Sequence, residues 1–166
     1  MVELPQYLTI EDYLKLEAES PVKHEYVDGQ VYAMAGASDS HVTIAGNLFA
    51  ALLAHMRGTG CRVCISAMKA RVEAQNRCFY PDVMVTCDPR DQETSMFKQF
   101  PKLVVEALSK STEAYDRGDK FRAYRALESL QEYVVINTRH RQLEIFCRDD
   151  SGLWVLQFYT SEDEIF

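Results

Sequence analysis

Two acids stand inside strongly apolar, strand-like runs: Asp82 in YPDVMV and Glu106 in LVVEAL. An ionised carboxylate taken out of water is costly unless it pairs, binds a metal or becomes neutral. The two positions are 24 residues apart, enough chain to return a neighbouring strand alongside the first. Adjacent carboxylates repel each other. A hard divalent cation between them removes that repulsion, and Mg²⁺ characteristically takes one or two protein carboxylates and keeps several waters. Such an ion activates water and offsets charge developing on a phosphate.

A cationic residue is still wanted beside such a pair. Lys110 lies just past the second strand, and Lys120 lies in the helical stretch YDRGDKFRAY, from which it could be aimed back at the strands. Glu25, in HEYVDG, is a third acid in a partly apolar setting. Each residue also has an ordinary reading. Asp82 could cap a turn after Pro81, Glu106 could face water or pair with an arginine such as Arg122, and Glu25 and Lys120 could be solvated. His41 at a helix start reads first as a surface or capping residue, and second as a ligand.

Other chemistries have less support. There is no Gly-rich phosphate loop, no GxSxG elbow and no HExxH. Five cysteines at scattered positions imply no disulfide framework. Cys61 and Cys64 have CxxC spacing, but in a strand they point to opposite faces and read as core or edge residues. The net charge of −7 argues against a broad basic footprint for nucleic acid, though not against a local one. Residues 90–125 carry eight Lys/Arg against six Asp/Glu and the first thirty carry two against seven, so a polyanion site is expected toward the second half.

The elements that must position these residues follow from periodicity. Thr9 caps a helix ending near Glu19, with Leu8 and Tyr13 as a staple. Asp28-Gly29 marks a hairpin. A second helix runs from about Ser40 to Arg57. CRVCISAMKARVEA alternates, with a phase change near 66–69 that suggests a bulge. CFYPDVMVTC and LVVEAL are strands. Residues 89–100 form a polar connection, either a substrate loop or a mobile link. A helix from Ser111 or Thr112 to about Glu128 precedes three strands: EYVVIN, QLEIFCR and LWVLQFY. The expected architecture is α/β (α+β), a central mixed sheet flanked by helices, in one domain over 1–166. No apolar run is long enough to span a bilayer, and the first residues lack a signal-peptide pattern. A cytoplasmic protein is expected.

YPDVMV, PKLVVEALSKST and YDRGDKFRAYRALESLQEYVVIN together resemble the Uma2-like (DUF820) family, within the PD-(D/E)xK nuclease superfamily. LTIEDYLKLEAES, HEYVDGQVYAMAGAS and HVTIAGNLFAAL resemble that family's opening. The resemblance implies a restriction-endonuclease-like fold and Mg²⁺- or Mn²⁺-dependent endonuclease hydrolysis of DNA, with a homodimer implied by the superfamily. Asp82 matches the PD acid and Glu106 the (D/E), with the Ala107 carbonyl as a further metal ligand. The third element departs from the plain pattern: Leu108 stands where a lysine is usual, and Lys120 matches the displaced lysine of this group. Glu25 matches an acid that many members add to the site. Two further readings are a nuclease-fold binding module without efficient cleavage, and a metal-dependent hydrolase acting on something smaller than DNA.

Overall fold

The computed structural model describes residues 7–160. Eleven strands form two mixed sheets among these residues. The first sheet has the order β2-β1-β5-β4-β7, built from β1 (His24–Val27), β2 (Gln30–Ala33), β4 (Lys69–Val72), β5 (Arg77–Phe79) and β7 (Phe97–Lys98). The second has the order β11-β10-β9-β8-β6-β3, built from β3 (Arg62–Ile65), β6 (Val83–Thr86), β8 (Pro101–Leu108), β9 (Glu132–Asn137), β10 (Gln142–Arg148) and β11 (Trp154–Thr160). The mixed α+β architecture expected from the sequence is present, with its strands divided between a larger and a smaller sheet.

The reason lies in two breaks. β3 pairs with β6 in the larger sheet, and the continuations β4 and β5 pair in the smaller one. The chain therefore changes sheet at residues 66–68 and again at 80–82. The phase change expected as a bulge is the first crossing, where Ser66 has φ 37°. The second crossing holds Pro81, which has no N–H to give to a ladder and so suits a break. The two crossings are tied by the Ser66 N–H, which donates to the Asp82 carbonyl at 2.9 Å.

Local signals account for the remaining elements near the site. α1 (Ile10–Glu19) starts at Thr9, whose hydroxyl accepts the Asp12 N–H at 3.2 Å. β1 and β2 form the expected hairpin, with Asp28 at φ 49° and Gly29 at φ 91°. Both positive values fit the primed turn that an Asp-Gly pair favours. α2 (Asp39–His55) starts at Ser38, which accepts the His41 N–H at 3.3 Å. It lays Ala45, Leu48, Phe49 and Leu52 over Val83, Val105 and Val134 of the larger sheet. Burying each such valine contributes about 1.5–3 kcal/mol.

The expected helix from Ser111 or Thr112 to about Glu128 is shorter and irregular. It comprises a turn of α-helix, α3 (Glu113–Tyr115), a π-helical stretch (Asp116–Lys120) and a further turn, α4 (Phe121–Tyr124). The largest core cluster lies beneath it, with Phe79, Met84, Val104, Leu108, Tyr124 and Tyr133 among its members. Leu108 is buried there, so the position where a lysine is usual serves packing instead.

Residues 89–100 are anchored. The buried Asp91 carboxylate accepts the Gln99 N–H at 2.7 Å and the Phe100 N–H at 3.2 Å, and also bonds the Thr86 hydroxyl. Phe97 and Lys98 add a short parallel strand beside β4. A disulfide joins Cys61 to Cys87, although no framework was expected. The pairing of Arg62 with Thr86 brings the next residues outward, Cys61 and Cys87, face to face. Cys64 is free.

Candidate functional site

Asp82 and Glu106 meet where β6 and β8 part. Their ladder runs from Val85 opposite Leu103 to Val83 opposite Val105, and the next residues are Asp82 and Glu106. The Asp82 side chain takes the place of the missing backbone partner: its Oδ2 accepts the Ala107 N–H at 2.8 Å. Its Oδ1 lies 2.8 Å from His41 Nε2. α2 brings His41 there, since its first turn overlies the ends of these strands. The bond to Asp82 holds the imidazole pKa above its ordinary value, against the lowering effect of burial.

Glu106 is buried, and its Oε1 lies 3.0 Å from the Lys120 ammonium. The Tyr124 hydroxyl donates to the same oxygen at 3.3 Å. Lys120 is also 2.9 Å from Glu25 Oε1 and 3.7 Å from Asp116 Oδ1, and it lies 5.5 Å from the centre of the Phe79 ring. Glu25 comes from β1 in the smaller sheet, and its Oε1 also accepts the Tyr80 N–H at 3.4 Å. The π-helical stretch explains how Lys120 arrives. Its wider turn buries both Asp116 and Lys120, and single-turn π stretches recur at functional sites.

The charges do not balance. One lysine serves Glu25, Glu106 and Asp116, with Asp82 nearby. Burial pushes the Glu106 carboxyl well above the usual range; Lys120 pulls it down, and Asp116, Asp82 and Glu25 push it up again. Asp116 is raised by burial in the same way, with Lys120 opposing. Burial would lower the Lys120 pKa, but Glu106, Glu25 and Asp116 outweigh it and keep the ammonium charged.

The four residues expected from the sequence, Glu25, Asp82, Glu106 and Lys120, are therefore neighbours in one cluster. Lys110 is exposed and outside it. Arg122 pairs with Asp119 at 2.8 Å, not with Glu106. Two members were missed, Asp116 and Tyr124, and His41, read first as a surface or capping residue, joins them. Asp116 carried a readable signal, since it stands four residues before Lys120 in a helical stretch. The contact between His41 and Asp82 spans 41 residues and left no local mark.

The donor set suits a hard divalent cation. Its oxygens are carboxylates, and a single ammonium serves three of the four acids. Asp82 and Glu106 would hold such an ion, with the Ala107 carbonyl as a third donor. Among the described residues no three His, Cys, Asp or Glu side chains are grouped as a complete metal site.

Comparison with known proteins gives a consistent picture. The Uma2 family, described as "Putative restriction endonuclease", matches residues 10–166. The uncharacterized protein slr1290 of Synechocystis is 40% identical over 158 residues, spanning 95% of this chain and 83% of that protein. A second uncharacterized Synechocystis protein, sll1609, is 30% identical over 158 residues, spanning 94% of this chain and 89% of that protein. A crystal structure from Anabaena variabilis, titled as a "putative nuclease belonging to DUF820", superposes with a TM-score of 0.76. It covers 96% of this chain and 88% of that one at 14% identity, which shows a shared restriction-endonuclease-like fold. Among the described residues no helix is long and apolar enough to cross a membrane. On the family match and the relatives together, this chain belongs to the Uma2 family.

Proposed function

We propose that the protein is a metal-dependent DNA endonuclease acting at the Asp82–Glu106–Lys120 cluster. The observation that carries this reading is the parting of β6 and β8 at two carboxylates, with a buried ammonium 3.0 Å from one of them. Mg²⁺ or Mn²⁺ bound there would supply Lewis-acid chemistry to water and to the scissile phosphate. The chain's own groups do the positioning. Lys120 stays protonated, so it serves as a hydrogen-bond donor and a fixed positive charge, orienting the attacking water and offsetting charge on the phosphate. It is not a general base. Glu25 and Asp116 fix the ammonium, and Tyr124 fixes Glu106. His41 and the Ala107 N–H fix the two oxygens of Asp82. Hydrolysis adds water across one phosphodiester bond, giving a phosphate monoester and a hydroxyl.

The test is cleavage of plasmid, linear and branched DNA in Mg²⁺ or Mn²⁺ by the wild type and by Asp82→Ala, Glu106→Gln and Lys120→Ala. Cleavage by the wild type that falls in all three variants supports the reading. Cleavage that survives all three overturns the site. One observation favours the alternative of a binding module without cleavage: both Asp82 oxygens already have protein partners. DNA binding with no cleavage in either metal would select it. Homodimerisation, with two sites acting on two strands, belongs to the same proposal and is read by light scattering.

A further inference from the structure

A site with four carboxylates in a chain of net charge −7 repels a polyanion, so something must hold DNA against it. Much of the positive charge in the stretch 90–125 is already committed. Arg90 pairs with Asp88 and Glu128, Arg117 with Glu113 and Glu144, and Arg122 with Asp119. Lys98 is buried against backbone carbonyls.

Two other lysines stand at the seam between the sheets. The Lys23 ammonium lies 5.6 Å from the centre of the Tyr80 ring, and the Lys69 ammonium lies 5.3 Å from the same ring. Neither has a carboxylate within ion-pair distance among the described residues. Lys23 donates to the Ser66 carbonyl at 3.0 Å, and Lys69 to the Tyr80 hydroxyl at 3.3 Å. That hydroxyl is oriented by Glu17, which accepts it at 2.8 Å and also accepts the His24 N–H at 2.8 Å. The position of the pair follows from the backbone. Ser66, which holds Lys23, donates its N–H to the Asp82 carbonyl, and Tyr80 donates its N–H to Glu25.

We propose that Lys23 and Lys69, spread over Tyr80, form a clamp for the phosphate backbone of duplex DNA, beside the bond to be cut. This rests on the nuclease reading above and deepens it. Each ammonium is held by a neutral acceptor and an aromatic ring, so its charge remains available to phosphate. Both amines lie within 5.6 Å of the one Tyr80 ring, whose hydroxyl Glu17 holds. The clamp lies in the first half of the chain, against the expectation from the charge distribution along the sequence.

Counterion release provides the test. Binding of a fluorescein-labelled duplex is followed by anisotropy in EDTA over a series of KCl concentrations. Wild type is compared with Lys23→Gln, with Lys23→Gln/Lys69→Gln, and with Lys102→Gln/Lys110→Gln, which makes the same charge change at exposed sites. Each lost phosphate contact reduces the slope of log K against log[salt] by ~0.9, so the clamp double variant should lose ~1.8 and the single ~0.9. The control pair should change the slope by less than half as much. Equal slopes for wild type and clamp variants overturn the clamp while leaving the nuclease reading intact if the wild type still cleaves. Equal loss in the control pair also overturns it, since charge anywhere would then suffice. A wild type that neither binds nor cleaves duplex overturns both. Lys23 is exposed, so the single variant reads the result even if Lys69→Gln disturbs Tyr80.

Discussion

Asp91 and Glu106 are both buried acids close to a buried lysine, yet their surroundings differ. Asp91 accepts two backbone N–H groups and a threonine hydroxyl, and its lysine neighbour, Lys98, donates to carbonyls instead of to the carboxylate. Every charge there is met by fixed dipoles, and the result is an anchored connection. Glu106 shares one ammonium with Glu25 and Asp116, has one tyrosine hydroxyl, and is pushed up by burial and by three other acids. A carboxylate that only has to hold structure is saturated with donors. One left short of donors retains the capacity to take another cation, and unbalanced sites of this kind are where chemistry is found.

Four measurements would break or sharpen this contrast. The largest effect is expected for Lys120→Ala. It leaves three carboxylates facing each other, so unfolding free energy should fall by about 3–5 kcal/mol and cleavage by ~10²–10³-fold or more. Denaturant unfolding beside a cleavage assay separates the two losses, and unchanged cleavage in folded protein would remove Lys120 from the reaction. Next comes Asp91→Ala, which removes the acceptor of two half-buried N–H groups and of the Thr86 hydroxyl. Stability should fall by about 3 kcal/mol, with the cleavage rate per folded molecule unchanged. A selective loss of rate would mean that residues 89–100 serve the reaction.

His41→Gln, which keeps one donor toward Asp82 but no imidazole, should slow cleavage by about tenfold, or ~1.4 kcal/mol in the barrier. An unaltered rate would reduce His41 to a helix-start residue. The smallest effect is expected for Glu106→Gln on stability. Because the folded carboxyl pKa is raised, the folded state holds that proton more tightly than the unfolded chain does. Its contribution is fully present below the ordinary carboxylate range and is lost as pH rises from the unfolded value through the folded one. In metal-free protein at neutral pH, Glu106→Gln should therefore change stability by less than about 1 kcal/mol, in the stabilising direction. A loss of about 3 kcal/mol, followed by thermal unfolding from pH 4 to 8, would place Glu106 in the same class as Asp91.

Most of the strands could be read from the sequence because alternation and the Asp28-Gly29 turn are local signals. So could the Thr9 cap. The π-helical stretch at 116–120 could not, because a 3.6-residue period is blind to one wide turn. The division into two sheets was hidden for a different reason. Pro81 marks a break, but nothing local says that the strand beyond it joins other partners. In the same way, apolar runs around Asp82 and Glu106 made those acids conspicuous. His41 had no such contrast, and its relation to Asp82 exists only once α2 lies across the strand ends.

The crossing of the chain between the sheets at 66–68 and 80–82 has a mechanical side. Glu25 belongs to one sheet and Glu106 to the other, and Lys120 grips both. The ammonium is thus a rivet across a seam as well as a charge. Any displacement of the hairpin of β1 and β2 is passed through Glu25 to the rivet. The grip on Glu106 and the seating of the hairpin therefore depend on one another.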